Sequence, residues 1–112
     1  MTSPSGKIAA LNDIFRTSWD EAQTGHIVKT RGIQALPEED QKAIFNLVKT
    51  FNTFSEDNDP YGEHDFGKVE HNGNKVFWKF DYYDKTLTKH TEDATDPEKT
   101  TRVMTIMLSS EY

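Results

Sequence analysis

The chain has 112 residues, 34% of them apolar, no cysteine, and a formal net charge of −6 from 13 Lys and Arg against 19 Asp and Glu. That length suits a single domain around one core. Without cysteine there are no disulfides, no thiol catalysis and no Cys-ligated zinc, and no apolar run approaches the roughly 18 residues of a membrane span. The first fifteen residues lack the apolar core and cleavage site of a signal peptide, so a cytoplasmic location and no membrane partner are expected. The charge is one-sided. Residues 1–55 carry six basic and six acidic side chains, whereas residues 56–112 carry seven and thirteen. A field of that sign repels nucleic acid and attracts cations or basic protein surfaces, so direct DNA or RNA binding is not expected.

Ser3-Pro4 reads as a helix start, with Ser as cap and Pro in the first turn. Ile8, Leu11, Phe15 and Trp19 then recur on one helix face, with Asn12, Asp13 and Arg16 off the centre of the stripe, and Gly25 ends the segment. Residues 26–36, with Ile27, Val28, Thr30 and Ile33, read as a strand interrupted near Gly32. Pro37 opens a second helix with Glu38, Glu39 and Asp40 in its first turn, where carboxylates favour the helix dipole. Ile44, Leu47, Val48 and Phe51 form its apolar stripe, flanked by Phe45 and Phe54, and it should end near Asn52.

An acidic loop follows. Glu56 to Asp65 holds five carboxylates and no Lys or Arg. Asn72-Gly73 is then a strong hairpin signal, because a type I′ turn requires positive φ at both central residues. Residues 65–71 enter the turn and 75–83 leave it, with Val76, Trp78, Phe80 and Tyr82 on the core face. Gly67 marks a bulge or a close backbone approach. Residues 84–100 read as a long polar loop. A last strand, 102–109, is apolar on both faces and therefore central or well covered. The order helix, strand, helix, three strands predicts an α+β domain: a mainly antiparallel four-stranded sheet with helices packed on one face.

Four stretches carry a family likeness: Leu11 to Arg16, Asp57 to Gly67, Trp78 to Asp84, and Arg102 to Leu108 with Glu111-Tyr112. Together they resemble a family of small bacterial, plasmid and phage proteins classed as a domain of unknown function. The resemblance implies an accessory role and one complete domain, and it supplies no catalytic residues.

Two function classes follow from the residues. The first is a non-enzymatic interaction protein. Asp57, Asp59, Tyr61, Glu63, His64, Asp65 and Tyr83 would dock on a basic protein surface, because carboxylates beside aromatics suit Lys and Arg. By analogy with small acidic proteins of mobile elements, the partner would be a nucleic-acid-handling complex of host defence, such as restriction or CRISPR machinery. This reading needs no cofactor, and the protein would be a monomer or a homodimer. The alternative is a phosphoester hydrolase holding Mg²⁺ or Mn²⁺ on Asp57, Asp59, Glu63 and Asp65, with Lys79 and Arg102 available for substrate phosphate. An EF-hand is excluded, since Lys68 stands where the bidentate Glu belongs. Asp65 is poorly placed to orient His64 if both lie on one strand, and His26, His71 and His90 lack ligand spacing. No nucleophile elbow, P-loop or dinucleotide fingerprint occurs. A purely structural role for the loop competes with both classes: Asp57 and Asn58 would cap turns while Pro60 and Gly62 shape the backbone.

Overall fold

A computed structural model of the chain describes residues 3–18 and 25–112. Helix α1 spans Pro4–Ser18. It starts where Ser3 Oγ accepts the Gly6 amide at 3.1 Å, the cap expected from Ser-Pro. Trp19, placed on its stripe by sequence, lies outside the described residues. Strand β1 covers Gly25–Lys29, and a single turn of helix, α2, covers Arg31–Gln34. The predicted strand to Leu36 therefore stops early. The Thr30 amide bonds to the Ile106 carbonyl and the Gly32 amide to the Glu111 carboxylate, and this turn drives Ile33 into the core with no exposure at all.

Helix α3 runs Glu38–Thr50, with its first-turn carboxylates as expected. Strands β2 (Phe66–His71) and β3 (Asn74–Tyr83) form the predicted hairpin, and Asn72 and Gly73 take φ of 50° and 78°. A Cβ on Gly67 would stand 2.5 Å from the Trp78 indole, so the glycine marks a close approach. Strand β4, Thr101–Leu108, leads into a 3₁₀ turn, Ser109–Glu111.

The sheet order is β1-β4-β3-β2, with β1 parallel to β4 and the other two pairs antiparallel. The central place of β4 accounts for its two apolar faces. On the inner face, Val69, Val76, Trp78, Phe80, Tyr82, Met104 and Ile106 form one cluster with Phe15, Ile33, Ile44 and Val48 from the helices. Each such buried aliphatic or phenyl side chain contributes about 1.5–3 kcal/mol over its exposed state. The fold is thus the α+β domain that the sequence predicts. No described helix is long and apolar enough to cross a membrane.

Candidate functional site

The acidic loop is held by a polar belt that α1 lays across the inner face of the sheet. Asn12 is fully buried. Its Nδ2 donates to the Glu63 carbonyl at 3.0 Å and to Tyr82 Oη at 2.7 Å, and its Oδ1 accepts from Arg102 Nε at 3.0 Å. One amide therefore joins the loop to β3 and β4. Arg102, 1% exposed, also donates to the Ala94 carbonyl and lies over the Tyr82 ring at 5.5 Å. Arg16, one turn further along α1, caps the other helix. Its Nη1 donates to the Val48 and Lys49 carbonyls at 2.6 and 3.3 Å, in the last turn of α3, where carbonyls lack helical partners. The guanidinium stacks over Trp78 at 4.9 Å.

Between these two anchors lies Asp13. It accepts from Arg16 Nη2 at 3.2 Å and faces His64 Nδ1 at 2.9 Å. The His64 ring stacks on Phe54, with centroids 3.8 Å apart and planes 3° from parallel, and its Nε2 lies 3.6 Å from Asp59 Oδ2. His64 is not on a strand. Its φ is 54°, a conformation that costs a non-glycine residue about 1–3 kcal/mol. Its orienting carboxylate is thus Asp13, 51 residues away, and Asp65 plays no such part.

The loop is also tied internally. Asp59 is 8% exposed, and its Oδ1 accepts the amides of Glu63 at 3.1 Å and His64 at 3.2 Å. Asn58 accepts the Ser55 amide and donates to the Thr53 carbonyl, both at 2.8 Å. Local sequence chemistry explains these bonds, since Asx side chains satisfy turn amides. What the loop presents outward is Glu56, Asp57 and Tyr61, with Tyr61 78% exposed. Glu63 and Asp65 are half-buried beneath them. Burial raises the Glu63 carboxyl, and the Asp65 and Asp59 charges raise it further against a lowering bond from Tyr82. Burial likewise raises Asp65, helped by Asp59 and Asp81 and opposed by its own backbone amide and His64.

Several sequence expectations are redrawn by this geometry. Asp59 points inward and shapes the loop, so it is not a docking carboxylate. Tyr83 belongs to the outer face of the sheet, paired in register with Thr101, apart from the acidic surface. Asp57, Asp59, Glu63 and Asp65 do not converge on one cation, and among the described residues no group of three or more His, Asp and Glu is placed to hold a metal ion. Lys79 and Arg102 point to opposite sides of the sheet, because Lys79 pairs with Thr105 and Arg102 with Tyr82. Both ring nitrogens of His64 face carboxylates, so the ring acts as a clamp between α1 and the loop. His71 makes a similar clamp, with Nε2 3.0 Å from Asp40.

Sequence reading had passed over Asn12, Asp13, Arg16 and Phe54. One signal was present. Asn12 and Arg16 follow Ile8 at intervals of four, so two polar residues share the flank of a stripe that must be buried.

A family model described as a protein of unknown function, DUF3768, matches residues 29–111. The chain belongs to this family. The matched span holds the acidic loop, the hairpin, β4 and the Glu111 turn, while α1 with Asn12, Asp13 and Arg16 precedes it. No curated protein and no solved structure matches the chain.

Proposed function

We propose that this protein is a non-enzymatic interaction module that docks its acidic loop onto a basic surface of a protein partner, with Tyr61 as the central anchor. The observation that carries this reading is the cost of holding the loop. A left-handed His64, a buried Asp59 and two α1 side chains all serve to fix a projection whose own tip, Tyr61, touches solvent. Fixing a loop before binding removes the ordering cost at the moment of association. A rigid aromatic ringed by carboxylates suits Lys- and Arg-rich surfaces, with cation–π contact at the ring and charge steering around it. Proteins that bind nucleic acid carry such surfaces, so the partner class is a nucleic-acid-handling protein, and an inhibitor of host defence is the form this reading takes. The hydrolase alternative lacks an assembled donor set among the described residues.

Two measurements test the reading. Proteins retained from nuclease-treated lysate by the wild type should include a basic protein, and its affinity should fall at least about tenfold with Tyr61→Ala or with Asp57→Asn plus Glu56→Gln. Unchanged affinity in both variants would remove the loop as the docking surface. Calorimetric titration of the metal-stripped protein with Mg²⁺ and Mn²⁺ should give no saturable heat. Binding of one ion per chain, lost in Asp65→Asn, would instead favour the metal-dependent enzyme.

A further inference from the structure

The helices pack on one face of the sheet, and the other face is open. It forms a shallow groove of about 480 Å³ lined by side chains that include Lys79, Asp81, Tyr83, Val103 and Met107. Phe66 and Phe77 pack against each other at one end, and Tyr112, 76% exposed, stands edge-on to both. This face is a separate surface from the acidic loop, and its chemistry differs. It mixes half-buried apolar side chains with charges of both signs, so it lacks the one-sided field of the loop.

The outward row of β3 reads Phe77, Lys79, Asp81, Tyr83. Reversed, it reads aromatic, acid, base, aromatic, so the row is complementary to itself when turned end for end. We propose that a second copy of this chain packs on the open face across a twofold axis beside Phe80. In that arrangement Lys79 faces the partner's Asp81, Asp81 faces the partner's Lys79, and Phe77 approaches the partner's Tyr83. A twofold interface requires this property: each residue meets its counterpart's partner, and the converse contact is the same. Within one chain Lys79 Nζ already lies 3.0 Å from Asp81 Oδ2. The four charges at the axis therefore form a closed, neutral ring, which limits the desolvation penalty of burying them. The neighbouring row of β4, Val103, Thr105 and Met107, is uncharged and flanks the ring in register with Asp81, Lys79 and Phe77. Two sheets stacked in this way sit about 10 Å apart with strands inclined by about 30°. Four strands of this length give a modest area beside the roughly 800 Å² per partner of a standard interface. The dimer is accordingly a concentration-dependent one.

Sedimentation equilibrium across a wide concentration range tests this directly. The wild type should pass from monomer to dimer as concentration rises. Lys79→Asp and Asp81→Lys should each be monomeric where the wild type is mostly dimer, because each places like charges at the axis. Mixed in equal amounts, the two variants should recover the dimer, since every contact at the axis is then between opposite charges. Thr105→Arg, which adds a cation beside the ring, should also be monomeric, and it serves if a charge reversal fails to fold. A wild type that stays monomeric at millimolar concentration would overturn the proposal. So would a folded single variant that dimerises as the wild type does, or a mixture of folded variants that remains monomeric.

Discussion

The two irregular stretches of this chain, residues 51–65 and 84–100, are alike in polarity and unlike in what holds them. The later loop is tied chiefly by its own side chains. Asp84 accepts the Thr88 amide at 3.0 Å, Asp93 accepts the Thr95 amide at 3.0 Å, and Thr91 and Thr100 share a bond of 2.9 Å. The Asp84 and Asp93 carboxyls are lowered by these short-range bonds, first by the Thr88 amide and by the Thr95 hydroxyl respectively. The acidic loop has local ties as well, at Asn58 and Asp59. Its last residues, however, are fixed by Asn12 and Asp13 across 51 positions of chain. The first loop therefore depends on tertiary structure for its shape, and the second depends much less. A surface meant to present a fixed projection gains from such a brace, because local turns alone leave the approach angle of the tip free.

The largest break in this comparison should come from Asn12→Ala. It strips a partner from Arg102, Tyr82 and the Glu63 carbonyl together and leaves a buried guanidinium short of an acceptor. A loss of about 3–5 kcal/mol is expected in urea unfolding, with the acidic loop losing amide-exchange protection. Asp59→Ala should cost about 1–3 kcal/mol, since two amides lose their acceptor, and the loss of protection should be confined to residues 59–65. An effect spread over residues 84–100 would mean that the two loops are not independent.

A pH series sharpens the contrast in the opposite sense. Glu63 and Asp65 hold their protons more tightly in the fold than in the unfolded chain. The folded state therefore binds more protons, and their contribution to stability is full below the ordinary carboxylate range and is lost as pH rises through the raised folded values. Glu63→Gln should accordingly stabilise the protein at pH 7, and the gain over wild type should vanish as pH falls to about 4. Asp84 behaves the other way. Its folded carboxyl lies low, so its contribution is present above the ordinary range and fades as pH falls through the folded value. Asp84→Ala should give the smallest change of the four in urea unfolding, with faster amide exchange at Thr88 alone.

The sheet offers the same lesson in a firmer setting. The hairpin, its turn, the inward row of Val76, Trp78, Phe80 and Tyr82, and the close approach at Gly67 were all legible in sequence. Each rests on chemistry within a few residues: positive φ at Asn-Gly, alternation along a strand, a missing Cβ. The end of β1 was not legible. It depends on Glu111, which reaches back to Thr30 and Gly32 from the other end of the chain. The acidic composition of the loop was equally plain. Its division into inward Asp59 and outward Asp57 and Tyr61 was not, because burial is decided by what packs beneath.

By itself, then, the sequence determined the fold class, two helices, three of the strands, the hairpin register and the one-sided charge, since periodicity and turn chemistry act over short distances. Only the tertiary structure decided that Asn12, Asp13 and Arg16 form a buried brace, that His64 is a clamp, and that Tyr83 faces away from the acidic loop. Those outcomes require residues far apart in sequence to satisfy one another's hydrogen bonds and charges once water is removed, and no local pattern encodes which partner each will find.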